Sequence, residues 1–353
     1  MRVLSDRRCW LLVLALAAAL LALPACGGGD DEGSEPAQGT TAETTSKPAS
    51  LSVALDWFAN PDHAALFYAQ DKGYFDDQNL DVTMKTPSDP SAGLKLVATK
   101  RFDVAIFYEG DMFFAAEQKL PVIAVGSLIP TPLNSVMATA DSKVKGPEDF
   151  KGATIGVAGL PFDDAILDTI RRQQNLGKDD VKKVNVGFNL VPALLTKRAD
   201  AVIGAYWNIE AFHVESETGE KPTVIQLEDL GVPHYDELLI VANKNRLQSD
   251  SEYADAVRRF VAAVVKGTEQ VRKDEAGAIA ILKEETEYKD AEVEAMVPET
   301  LKALKPPTGV PTGCFDLSAW NRFGQWMLDN DLLKARVDPS TIATNQYASR
   351  NCA

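Results

Sequence analysis

Leu55–Phe75 reads LDWFANPDHAALFYAQDKGYF. It changes character at Asn60-Pro61. Upstream, Ser52–Trp57 reads as a short strand. Downstream, Asp62–Lys72 has helical spacing, with Ala65, Leu66, Tyr68 and Ala69 turned to one side, and Gly73 stops it. Further along, Leu80–Lys85 reads as a strand and Ala92–Thr99 as a helix. Asp103–Phe107 and Val122–Val125 are buried-type strands. This β-α-β-α-β rhythm predicts an α/β fold, with a largely parallel sheet covered by helices.

A second unit begins near Ser135. Thr154–Val157 is a strand that runs through Gly159-Leu160-Pro161 into a helix over Asp163–Gln174, whose acidic first turn suits the helix dipole. Val184–Val186 and Ala201–Ile203 are short strands, and Leu238–Ala242 returns as another. Arg258–Arg272, Ala276–Glu285, Ala291–Leu304 and Leu317–Asn330 are amphipathic helices. Ligands of open α/β sheets sit beyond the carboxyl ends of strands. Here those ends are Asp56-Trp57, Phe107-Tyr108-Glu109, Ala158–Pro161 and Ala205–Asn208.

The first fifty residues concern delivery. Arg2, Arg7 and Arg8 precede the apolar run Trp10–Leu23 (WLLVLALAAALLAL), which is too short to span a bilayer and suits a secretory signal. Leu23-Pro24-Ala25-Cys26 resembles a bacterial lipobox, so residues 1–25 are expected to be cleaved and Cys26 to carry lipid. An ordinary cleaved signal is the alternative. Residues 26–50 hold no large apolar side chain and read as a disordered tether. The protein is therefore expected outside the cytoplasm, lipid-anchored to a bacterial cell membrane.

The whole chain has 353 residues and a formal net charge of −15. That charge excludes wrapping of a nucleic-acid backbone. Three scattered histidines and the lack of HExxH or paired CxxC give no metal site. P-loop, dinucleotide and G-x-S-x-G motifs are also missing, so no cofactor and no catalytic centre are expected. With Cys9 in the signal and Cys26 lipidated, Cys314 and Cys352 remain. Outside the cytoplasm such a pair is most simply a disulfide, with two free thiols as the alternative.

Leu55–Phe75 also carries a D-W-x-x-N-x-x-H start and an A-x-x-x-G-(Y/F)-F end. TPSDPS at Thr86–Ser91, GAYWNIE at Gly204–Glu210 and LGVPHYDELLIV at Leu230–Val241 follow in order. In these segments the chain resembles substrate-binding proteins of the thiamine-precursor type, the family that also holds the fungal thiamine-pyrimidine synthases. The resemblance covers about residues 51–285. It implies a two-lobed periplasmic-binding-protein type II fold with crossover strands. Lobe I would hold residues 51–134 and 240–353, and lobe II residues 135–239. It also implies an ABC permease and ATPase as partners, a monomeric receptor, and a small flat heteroaromatic ligand such as a thiamine pyrimidine precursor. The fungal enzymes carry a cysteine-rich motif that this chain lacks, so catalysis is not expected. Riboflavin or a sulfonate-type ligand is the alternative within the same fold.

For such a ligand, Trp57 offers a stacking face, or else is core. Asp56 lies beside it at the end of the strand. Asn60 suits a pyrimidine edge, or is a turn residue before Pro61. His63 bonds ligand or supports the fold. Tyr108 and Glu109 follow a buried strand, where Glu109 accepts from an amine or sits in a helix N-cap region. Gly159 and Pro161 belong to a loop whose N–H groups meet ligand or merely connect. Tyr206, Trp207, Asn208 and Glu210 form the densest polar-aromatic group, with the ring expected between Trp57 and Tyr206/Trp207. Tyr235 lies at the return crossover and touches ligand or acts as hinge, as do Asp236 and Glu237.

Overall fold

The computed structural model describes residues 47–348 and residue 352. The expected signal, Cys26 and most of the expected tether lie outside the described residues. Ten strands occur: β1 (Ala49–Ala54), β2 (Leu80–Lys85), β3 (Val104–Phe107), β4 (Val122–Ile129), β5 (Asn134–Ala138), β6 (Thr154–Val157), β7 (Lys182–Asn185), β8 (Ala201–Tyr206), β9 (Thr223–Gln226) and β10 (Leu238–Asn243). They build two five-stranded sheets, ordered β2-β1-β3-β10-β4 and β7-β6-β8-β5-β9.

Each sheet is mixed. β1 runs parallel to β2 and β3, whereas β10 runs antiparallel to β3 and β4. In the second sheet β6 is parallel to β7 and β8, and β5 is antiparallel to β8 and β9. The chain leaves the first sheet through residues 130–133 and returns through residues 227–237. Two short connections therefore join two sheets, each with its own helical cover. β3, β4 and β10 are buried along their whole length, which is why they read as continuous apolar runs.

β1 starts earlier than its side chains suggest. Ala49 and Ser50, placed in the tether by composition, already pair with Leu80 and Asp81. Backbone pairing needs no large side chain, so composition misplaced the tether's end by two residues. The strand also stops at Ala54, which leaves Asp56 and Trp57 in the turn beyond it.

The helix Ala64–Asp71 packs under the first sheet against the long helix Ser251–Val271. Their close approach depends on Gly267, because a Cβ there would stand 2.4 Å from the Ala65 carbonyl oxygen. Leu66 is fully buried in this contact; truncating such a leucine to alanine costs about 2–5 kcal/mol. The C-terminal helix Leu317–Asp329 places Trp320 and Phe323 against Phe113. A disulfide joins Cys314 to Cys352, with Cα atoms 5.7 Å apart. No helix among the described residues is long and apolar enough to cross a membrane.

Candidate functional site

The carboxyl ends of β1, β3, β6 and β8 converge on a cleft between the sheets. The β1 side is organised around Asp56. His63 meets its Oδ1 through Nε2 at 2.8 Å, and the Tyr108 hydroxyl donates to Oδ2 at 3.1 Å. The Asn60 N–H donates to His63 Nδ1 at 3.3 Å. Nδ1 must therefore offer its lone pair, so Nε2 carries the proton and donates to Asp56. Asn60 Oδ1 in turn accepts the Asp62 N–H at 2.8 Å, which caps the turn. The Trp57 and Phe188 rings meet nearly perpendicular, with centroids 4.7 Å apart.

The opposite wall comes from the second sheet. Asp163 Oδ2 accepts the Ala158 N–H at 3.1 Å. Glu210 Oε2 accepts the Tyr206 N–H at 2.7 Å. Gly204 between them has φ +104°, a conformation that side chains rarely adopt, and its N–H donates to Asn134 Oδ1 at 3.1 Å. The floor is the paired crossovers. Glu237 Oε2 accepts the N–H groups of Leu133 (2.7 Å) and Asn134 (3.0 Å) and the Tyr235 hydroxyl (2.9 Å). Its Oε1 accepts the Tyr206 hydroxyl at 3.2 Å.

Asp56, Asp111, Asp163, Glu210 and Glu237 all line the cleft, and no Lys, Arg or His does. Burial pushes the Asp111 and Glu210 carboxyls up to about 7. It pushes Asp163 well above the usual carboxylate range, with the Asp111 charge adding to the effect. Glu237 is raised by burial despite its four donors. Both oxygens of Asp111 and Oδ1 of Asp163 are buried without a well-formed hydrogen bond, although the Phe162 N–H lies near Asp111 and the Asn134 side chain near Asp163. Such acceptors cost free energy until something donates to them.

Of the residues expected from sequence, Asp56, Trp57, Asn60, Tyr108, Tyr206, Glu210 and Glu237 share this cleft. The others do not line it. His63 stands behind Asp56. Glu109 is fully buried and accepts the Asp236 N–H at 2.7 Å. Gly159 and Pro161 border a separate groove beside Phe107 and Leu94. Trp207 turns its indole N–H to the Pro132 carbonyl at 3.0 Å, so the partner facing Trp57 is Phe188 rather than Trp207. Asn208 is buried against Asp62 and Thr300. Tyr235 reaches the site only through Glu237.

Sequence reasoning passed over Asp111, Asn134 and Asp163. The two aspartates sit in the first turns of the helices Glu109–Glu117 and Pro161–Gln173, where an acidic residue is already explained by the helix dipole. The usable signal was position: both turns follow strand ends that face the cleft. Elsewhere among the described residues, His213, Glu217 and Glu292 bring three potential metal donors within 4.8 Å of one another. Lys289 already pairs with Glu217 there.

Residues 60–278 match the family described as NMT1/THI5 like. A Haemophilus influenzae protein whose name assigns it to thiamine biosynthesis is 43% identical over 195 residues. The match spans 55% of this chain and 62% of that protein. A formylaminopyrimidine-binding protein of Halalkalibacterium halodurans is 30% identical over 341 residues, covering 96% of this chain and 98% of its own. A 4-amino-5-hydroxymethyl-2-methylpyrimidine phosphate synthase of Aspergillus parasiticus is 29% identical over 65% of this chain and 68% of its own. Among solved structures, the alkanesulfonate-binding protein SsuA of Xanthomonas axonopodis shares the fold, with a TM-score of 0.64 and 16% identity. That likeness covers 85% of this chain and 99% of SsuA.

Proposed function

The chain belongs to the NMT1/THI5-like family, and on that premise we propose that it is the solute receptor of an ABC importer, binding a thiamine pyrimidine precursor such as formylaminopyrimidine or hydroxymethylpyrimidine. The observation that carries this reading is the lining of the cleft: among the described residues, five carboxyl groups and no Lys, Arg or His line it. Such a wall offers nitrate or a sulfonate no countercharge, whatever the shared fold. It suits a ligand with several N–H donors or a ring that takes up a proton. An aminopyrimidine has an exocyclic amine, a protonatable ring nitrogen and a flat face for Trp57.

In this reading residues 51–134 with 240–353 form one lobe and residues 135–239 the other. The lobes close on the ring by hinging at the crossovers, and no bond is broken. The closed form docks on the permease, whose ATPase drives release. Cys26 carries the lipid that keeps the monomeric receptor beside its transporter, outside the cytoplasm. The synthase relatives support an enzymatic alternative. Against it stands the lack of their cysteine-rich motif here, since Cys314 and Cys352 are engaged with each other.

A thermal-shift screen of pyrimidines, flavins and sulfonates tests the proposal, since binding raises the midpoint by mass action. A shift by pyrimidine precursors, with the ligand recovered unchanged, is expected. A shift by riboflavin or a sulfonate alone, or turnover of the pyrimidine, would overturn it.

A further inference from the structure

The two halves also meet outside the cleft, at Asp62. This residue, Asn208 and Thr300 are each fully buried. Asp62 lies in the turn after β1, Asn208 follows β8, and Thr300 is on the helix Asp290–Ala303. Asn208 Nδ2 donates to Asp62 Oδ1 at 2.6 Å and to Thr300 Oγ1 at 3.0 Å. Thr300 Oγ1 donates to the same Asp62 oxygen at 3.1 Å. Neither residue on the first-sheet side touches the cleft wall. Two acceptors in this cluster, Asp62 Oδ2 and Asn208 Oδ1, are buried with no partner. An ionised carboxylate donates nothing, so the cluster as drawn lacks a donor. A proton on Oδ2 would supply one and remove an uncompensated buried charge.

We infer that Asp62, Asn208 and Thr300 form a clasp between the lobes that closes with uptake of one proton on Asp62, so that closure and ligand affinity depend on pH through a group that never touches the ligand. The inference rests on the lobe-closure reading above but not on the identity of the ligand. The groups facing Asp62 are His63 from its own turn, Glu210 and Tyr206 from the β8 side, and Tyr288 from the segment before the helix Asp290–Ala303. Burial dominates them and raises Asp62 to about 7, and the Glu210 charge adds to the rise. When the lobes part, Asp62 meets water and returns toward the ordinary carboxylate range. The clasp's contribution is therefore complete below about pH 4. It is lost as pH rises through the closed-state value near 7.

Asp62→Asn tests this directly, because the amide keeps an acceptor for Asn208 and Thr300 and carries a permanent donor in place of the proton. With the full chain in detergent, 19F-tryptophan NMR reads lobe closure without ligand through the Trp57 signal, assigned with Trp57→Phe. The wild type should shift toward the closed signal between pH 8 and pH 5, and Asp62→Asn should be closed at both. With formylaminopyrimidine as probe, the ratio of wild-type to Asp62→Asn Kd should climb by at least about tenfold from pH 5 to pH 8. If Asp62→Asn does not fold, Asn208→Leu removes the clasp from the other side, and its ligand-free Trp57 signal should stay open at pH 5. A Trp57 signal whose pH dependence is the same in wild type and Asp62→Asn, or an Asn208→Leu chain that closes at pH 5, would overturn the inference. Closure that follows pH as described while formylaminopyrimidine fails to bind would leave the clasp standing and remove the ligand assignment instead.

Discussion

The Glu237 carboxylate accepts the Asn134 N–H at 3.0 Å, and so ties the return crossover to the outgoing one at the floor of the cleft. The same oxygen takes the Leu133 N–H, and the other oxygen reaches the Tyr206 hydroxyl on the cleft wall. One side chain thus fixes both connections between the sheets and one wall of the site.

Glu237→Ala should therefore destabilise the fold by about 3 kcal/mol or more, since several buried donors lose their acceptor at once. Urea unfolding measures this. A loss below about 1 kcal/mol would mean that water replaces the carboxylate freely and that the crossovers are not stapled by it.

The two tryptophans of the expected ligand sandwich should separate in their effects. Trp57→Ala should weaken pyrimidine binding by more than about tenfold while the unfolding midpoint changes little, because its face borders the cleft. Trp207→Ala should act mainly on stability, because its ring N–H is spent on Pro132. Calorimetry and denaturation on the same preparations distinguish the two, and equal affinity losses would return Trp207 to the site.

Asp111→Asn exchanges a buried carboxyl that lacks a well-formed hydrogen bond for a neutral amide of the same shape. It should leave the ligand-free protein as stable as wild type or up to about 2 kcal/mol more stable at pH 8, and weaken ligand binding by more than about tenfold. An Asp111→Asn chain with unchanged affinity would show that no ligand donor reaches this carboxyl.

Raised carboxyls also fix the sign of the pH dependence. Asp111 and Glu210 stand at about 7 and Asp236 at about 6, all above their ordinary values. Each contributes stability that is complete below the unfolded-state value near 4. That contribution disappears as pH rises through 6 to 7. Thermal midpoints of the ligand-free protein should thus fall from pH 5 to pH 8, and a donor-rich ligand should restore much of the loss at pH 8. A midpoint that rises over that interval would contradict the account.

Reduction of Cys314–Cys352, which closes a separation of 38 residues, should cost about 3–4 kcal/mol in the chain-entropy account. Urea midpoints with and without reductant measure it, and Cys314→Ser should reproduce the reduced value.

The elements at Leu80–Lys85 and Thr154–Val157 were legible in the sequence to the residue, because an alternating run (LDVTMK) and a short apolar run (TIGV) between turn signals leave little choice. β5 and β9 were not, since Asn134-Ser135 and Thr223–Gln226 owe their strand state to neighbours in the sheet rather than to an apolar pattern. At the site, the aromatic and polar residues next to strand ends were readable from Asp56, Trp57 and Tyr206. Which way a side chain turns was not. Asp111 and Glu109 lie two positions apart on one helix start, yet Asp111 enters the cleft and Glu109 turns to the Asp236 N–H on the return crossover. Asn208, a neighbour of the cleft in sequence, is instead buried against Asp62 and Thr300, and only the meeting of three distant segments reveals that.

Titration calorimetry of the full chain with formylaminopyrimidine reads the proposed binding itself. One site per chain at micromolar Kd or tighter is expected, lost in Trp57→Ala and not displaced by alkanesulfonate or nitrate. No heat at millimolar formylaminopyrimidine, with saturable binding of riboflavin or an alkanesulfonate instead, would contradict it.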